Sequence, residues 1–151
     1  MCAEVMAGFG RTGKMFAFEP WLDAADGPDM ITMAKGLTSS YLPLGGVGMS
    51  DKVAAHFKKN VFYGGHTYNA HPVCLAAALA NLDVLEEDGL VENANKLEPV
   101  MRAEMDRLQK KHASMKEGRA IGLFGMIELQ KNAKGEPFSP YASSSPAMAK
   151  L

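Results

Sequence analysis

The chain has 151 residues, 47% hydrophobic and 22% charged, with a formal net charge of −1. That is the balance of a globular protein, and it argues against nucleic acid or an anionic membrane as partner. Two cysteines (Cys2, Cys74) and four histidines form no disulfide framework and no zinc-like spacing, and no apolar run is long enough to cross a membrane, so a reducing, cytoplasmic setting is the default expectation.

Met1 to Val5 reads as the end of a strand, with no signal peptide. It runs into Gly8-Phe9-Gly10-Arg11-Thr12-Gly13, where glycines permit positive φ or close backbone approach. The aromatic-rich Lys14 to Trp21 is expected to pack over a neighbouring element. After the acidic turn Asp26-Gly27-Pro28-Asp29, the run Met30 to Ala34 predicts a short strand buried on both faces. Lys35 then sits at the rim of a core, where poor solvation lowers a lysine pKa and makes the amine a nucleophile. The stretch alone also fits a lysine that ends a strand and reaches water.

Leu42 to Met49 is a glycine-rich strand, placed where side chains would obstruct a neighbouring backbone or ligand. Ser50 or Asp51 caps a helix over Lys52 to Phe57. Gly64-Gly65-His66-Thr67-Tyr68 is a loop of small and polar groups. Pro72 suits a first helical turn, and Val73 to Glu87, apolar nearly all round, predicts a buried helix ended by Gly89. Leu97, Val100, Met101, Met105 and Leu108 have helical spacing, so an amphipathic helix runs to about His112, with Pro99 in its first turn or at a kink. Ile121 to Leu129 is a final strand, Ser139 to Pro146 a loop, and Ala147 to Leu151 the opening of a helix.

Strands alternating with helices give an α/β class with a largely parallel sheet. A composition shift near Gly89 divides the chain into residues 1–88 and 89–151, and neither unit is expected to be complete.

Three blocks carry a specific resemblance: Glu4-Val5-Met6-Ala7-Gly8-Phe9-Gly10-Arg11-Thr12-Gly13; Pro28-Asp29-Met30-Ile31-Thr32-Met33-Ala34-Lys35-Gly36-Leu37; and Gly65-His66-Thr67-Tyr68. In this order and spacing they resemble class III aminotransferases, fold-type I enzymes that use pyridoxal 5′-phosphate, most closely the omega-amino acid, taurine or β-alanine:pyruvate branch. The resemblance implies a partial large-domain sheet in residues 1–88 and the start of the small C-terminal domain in 89–151. It implies that Lys35 holds the cofactor as a Schiff base and shuttles the proton, that Val5 packs on the pyridine ring, and that Thr67 binds the cofactor phosphate of the partner subunit. A homodimer with shared active sites follows, with a small-molecule amino donor and a keto acid such as pyruvate as substrates. The Gly8 to Gly13 loop fits neither a Rossmann nor a P-loop cradle; the family gives it a part in shaping the site entrance.

The sequence departs from the family at Ala3, where the family places the aspartate that pairs with the pyridine nitrogen. A non-catalytic relative is therefore a second expectation, and an aminomutase or decarboxylase of the same fold a third. The other candidates have plainer readings: Arg11 as an ion-pairing residue or ligand contact, His66 as a structural hydrogen-bonding group, His56, His71 and His112 as surface or capping groups, and the eleven methionines as core filler.

Overall fold

The computed structural model describes residues 1–23 and 26–138; the loop expected at 139–146 and the helix opening expected at 147–151 lie outside them. The elements run β1 (Cys2–Ala3), β2 (Met30–Met33), β3 (Gly46–Met49), α1 (Asp51–Phe57), α2 (Pro72–Glu87), α3 (Leu90–Lys111), β4 (Met115–Ile121) and β5 (Phe124–Leu129). This is the expected α/β composition. Contacts divide the chain into two units, Met1–Asn95 and Lys96–Leu151.

In the first unit β1 pairs parallel to β2, with Cys2 opposite Ile31 and Ala3 opposite Thr32. β3 pairs antiparallel to β2, from Met30 opposite Met49 to Met33 opposite Gly46. The sheet is thus mixed rather than largely parallel. The connection from β2 to β3 holds only a 3-10 turn, Lys35–Leu37, and a parallel return requires a longer crossover, usually a helix. Every residue of β2 is half-buried, so the strand is not the fully buried one its apolar run predicts.

Ser50 is the N-cap of α1; its hydroxyl accepts the Val53 N–H at 3.4 Å, satisfying one of the donors that a helix start leaves open. Pro72 occupies the first turn of α2, where its missing N–H costs nothing, and Gly89 follows the helix at φ +59°. The expectation that α2 is buried fails in this chain. Only Ala78 and Leu85 are buried, while Val73 and Leu79 are 59% and 64% exposed. The helix has the Lys35–Leu37 turn as its main neighbour in the unit, which covers one side of an all-round apolar surface.

In the second unit, Met101, Met105 and Leu108 of α3 pack with Met115 and Ala120 of β4. β4 and β5 form an antiparallel hairpin reversed at Gly122, whose φ of +55° glycine adopts without strain. The sequence reading placed one strand here and missed β4, because Lys116, Glu117 and Arg119 mask its inward residues. Pro99 lies in the interior of α3 rather than in its first turn. Methionine is core filler at Met105 and Met115, but Met1 and Met6 are exposed.

Candidate active site

Lys35 opens the 3-10 turn that leaves β2, and its backbone is left-handed, with φ +45°. Ser39 and Ser40, at φ +49° and +61°, are left-handed as well. Each such non-glycine residue costs on the order of 1–3 kcal/mol, so the surrounding structure must hold the segment. The Leu37 N–H donates to the Ala34 carbonyl at 3.1 Å, and both Thr38 and Ser40 N–H groups donate to the Lys35 carbonyl, at 3.2 and 3.1 Å. Thr38, 1% exposed, gives its hydroxyl proton to the Leu42 carbonyl at 2.7 Å.

The strongest external tie comes from α2. The Asn81 amide donates to the Gly36 carbonyl at 2.8 Å and to the Leu37 carbonyl at 3.3 Å. Its oxygen accepts the Ser39 hydroxyl proton at 2.7 Å. The two carbonyls require the nitrogen, so the hydroxyl meets the oxygen, and the amide orientation is fixed by its partners.

The loop after β1 supports the same turn. The Glu4 N–H donates to the Thr32 carbonyl at 2.9 Å, extending the β1–β2 pairing by one step. Glu4 is 3% exposed, and its carboxylate accepts the N–H groups of Ala17 at 2.9 Å and Phe18 at 3.1 Å. Those bonds fold the segment back, so that Phe9 and Phe16 meet edge to face at 5.7 Å and Phe16 and Phe18 stack at 5.9 Å. Gly36 lies against this loop: a Cβ there would stand 2.9 Å from Phe9 Cβ and 3.3 Å from the Gly8 carbonyl oxygen.

Lys35 itself is exposed, so the poorly solvated rim expected for it is not found in this chain. It lines an open depression with Thr38, Ser40, Leu42, Pro43 and Leu44. Val5 is half-buried just beyond β1, the neighbour of β2. Thr67 is exposed in the turn at 67–70, where Asn69 ties the loop by donating to the Gly64 carbonyl at 3.0 Å. The β1–β2 pairing thus brings Val5 and Lys35 to one end of the sheet, and no described hydrogen bond links Thr67 to them.

Other expectations are corrected. Trp21 is 69% exposed and is not a packing residue. Arg11 makes no ion pair among the described residues, and the His66 side chain makes no hydrogen bond among them. His71 does stand at the N-cap of α2, without a side-chain capping bond. Asn81 was missed, although a signal existed: it is the one neutral amide in the otherwise apolar stretch from Val73 to Leu82.

A parallel strand pair that delivers a lysine into a turn braced by a helix is an arrangement for presenting an amine. The family model for aminotransferase class-III matches residues 1–146, and the chain belongs to that family. Its α/β fold is that of the fold-type I transferases, in part. The chain is similar to putrescine–pyruvate aminotransferase of Pseudomonas aeruginosa, with 38% identity over 133 residues, covering 87% of this chain and 28% of that protein. It is 40% identical over 148 residues to adenosylmethionine-8-amino-7-oxononanoate aminotransferase of Aquifex aeolicus, covering 91% of this chain and 31% of that one. Among solved structures, taurine:2-oxoglutarate aminotransferase from Bifidobacterium kashiwanohense, in complex with PLP and glutamate, superposes with a TM-score of 0.92 at 37% identity, over 99% of this chain and 33% of that one. An S-selective transaminase from Arthrobacter superposes at 0.83 with 39% identity, over 91% of this chain and 29% of that one. The chain therefore spans under a third of the length of the curated relatives named here.

Proposed function

We propose that this chain is the lysine-bearing part of a pyridoxal 5′-phosphate-dependent aminotransferase of the cytoplasm, which moves an amino group from an omega-amino acid or amine to pyruvate or a similar keto acid. The family match supports the reaction class. The names of relatives that act on putrescine, taurine and pyruvate support the donor and acceptor. The observation that carries the reading is Lys35 itself: an exposed primary amine, in a left-handed conformation, held on a turn braced by Asn81.

The residues present fit the cofactor. An amine on a fixed turn suits a carbonyl-bearing group, and the hydroxyl of Thr67 in the exposed loop after Gly64-Gly65 suits a phosphate. When bound, the cofactor supplies a carbonyl that condenses with amines and a ring that withdraws electrons. Lys35 then holds the group covalently and carries the proton on its amine nitrogen. Val5 packs against the ring. Thr67 binds phosphate across a homodimer interface. Residues 1–88 belong on this reading to the large domain, and 89–151 open the small one.

A second reading, a non-catalytic relative, is favoured by one observation. Ala3 offers no carboxylate, and that of neighbouring Glu4 is engaged by the Ala17 and Phe18 N–H groups. The test is alanine formation from pyruvate with putrescine, taurine or β-alanine as donor, in the full-length chain, in Lys35→Ala and in Ala3→Asp. Transfer that disappears in Lys35→Ala supports the first reading. Transfer absent from the parent and still absent from Ala3→Asp supports the second.

A further inference from the structure

We infer that Asn81 is a positioning residue for the Lys35 amine, acting through the backbone of the turn rather than by touching substrate or cofactor. The inference rests on the proposed role of Lys35 and deepens it.

Four observations converge on this residue. Lys35, Ser39 and Ser40 hold left-handed backbone, which relaxes to the extended or right-handed regions unless tied down. The short ties internal to the turn run to the Ala34 and Lys35 carbonyls and to Leu42; the Gly36 carbonyl receives only a long bond from the Ser39 N–H, at 3.5 Å, and the Leu37 carbonyl receives none from within the turn. Asn81 is the outside donor to both, reaching them from 45 and 44 positions away in sequence. Its oxygen takes the Ser39 hydroxyl, so one side chain spans the turn from its first carbonyls to its left-handed exit.

The chemical consequence is specific. Lysine's long flexible stem gives its amine a wide reach, and the backbone sets the point and direction from which that reach begins. A turn free to relax would launch the same amine along a different line, and misplacement of about 1 Å costs up to about a hundredfold in rate. An amide meets all three partners at once, with its two N–H donors on the carbonyls and its oxygen on the hydroxyl. Aspartate has the same shape, but its carboxylate would face two carbonyl oxygens with no proton to give. A protonated aspartate recovers one donor.

The test measures how fast borohydride with pyridoxal phosphate fixes the cofactor on Lys35, by peptide mapping of the full-length chain, in the parent, Asn81→Ala, Asn81→Asp and Ser39→Ala. Amide hydrogen exchange is followed in parallel. The expected result is a loss of about tenfold in the Lys35 rate for Asn81→Ala, with other lysines unchanged. Exchange should quicken at Leu37, Thr38 and Ser40 and stay as in the parent in the β4–β5 hairpin. With cyanoborohydride as the acid-stable reductant, the Asn81→Asp rate, taken as a ratio to the parent at the same pH, should rise towards one as pH falls and its carboxyl takes up a proton, a profile that loss of packing would not give. Ser39→Ala should show a smaller loss, because the two carbonyl bonds survive. A parent that labels Lys35, with Asn81→Ala labelling it equally fast, overturns the inference and leaves the functional reading standing. A parent that does not label Lys35 overturns the functional reading and the inference with it. If Asn81→Ala does not fold, the pH profile of the Asn81→Asp rate relative to the parent decides: a ratio that stays flat as pH falls overturns the inference.

Discussion

Glu4 and Ala17 are joined across a separation of 13 residues: the Glu4 carboxylate accepts the Ala17 N–H at 2.9 Å, and with its other oxygen the Phe18 N–H at 3.1 Å. The carboxylate is buried, yet its partners are backbone amides rather than a cation. Hydrogen bonds to a charged acceptor contribute more than neutral ones, and removing the acceptor strands two donors. Glu4→Ala is therefore expected to lower unfolding free energy by about 2–4 kcal/mol in chemical denaturation, and Glu4→Gln, which keeps one acceptor, by less. Equal losses from both would mean that shape, not charge and acceptor number, holds the loop.

Gly36 and Gly65 make a contrasting pair. A methyl at Gly36 meets Phe9 Cβ at 2.9 Å and the Gly8 carbonyl at 3.3 Å, whereas a methyl at Gly65 meets nothing within 4 Å. Gly36→Ala should destabilise by about 1–3 kcal/mol, through displacement of the loop that backs the Lys35 turn. Gly65→Ala should change stability by less than about 0.5 kcal/mol. Thermal unfolding of both variants measures the difference directly.

Thr12 is 4% exposed, and its hydroxyl has no hydrogen-bond partner among the described residues. An unpaired buried hydroxyl costs desolvation without return, so Thr12→Val is expected to be neutral or to stabilise by up to about 1 kcal/mol. A loss above that size in denaturant titration would show that the hydroxyl is in use.

Glu98 couples the second unit to pH. Its carboxylate accepts the Gly122 N–H at the hairpin turn at 2.6 Å and the Arg102 Nε–H at 2.8 Å. The Gly122 amide first, and Arg102 second, hold its carboxyl below the usual carboxylate value. A carboxyl lowered in the folded state contributes stability above its unfolded pKa and loses it as pH falls through the folded one. Unfolding midpoints followed from about pH 7 to about pH 3 should therefore fall more steeply in the parent than in Glu98→Gln. Parallel curves would contradict the assignment.

Much of this was legible in the sequence. Local chemistry narrowed the cap to Ser50 or Asp51, of which the structure uses Ser50, and placed Pro72 in its first turn and Gly89 after its helix, because each acts within one turn of chain. The motif blocks single out Lys35, Val5 and Thr67, and the roles proposed for them come from that resemblance. What could not be read depends on partners distant in sequence. The antiparallel return of β3, the exposure of α2 and the solvation of Lys35 follow from which surfaces this chain can cover, and periodicity assumes that an apolar face finds its cover. The role of Asn81 could not be singled out because its partners, Gly36, Leu37 and Ser39, lie some forty residues upstream.

The central claim is that Lys35 is the amine that carries the cofactor. Reduction of the full-length chain with borohydride in the presence of pyridoxal phosphate, followed by peptide mapping, tests it directly. The account predicts a pyridoxyl group on Lys35 that exceeds modification at every other lysine and vanishes in Lys35→Arg. Modification spread evenly over the exposed lysines, or concentrated on one other than Lys35, would contradict it.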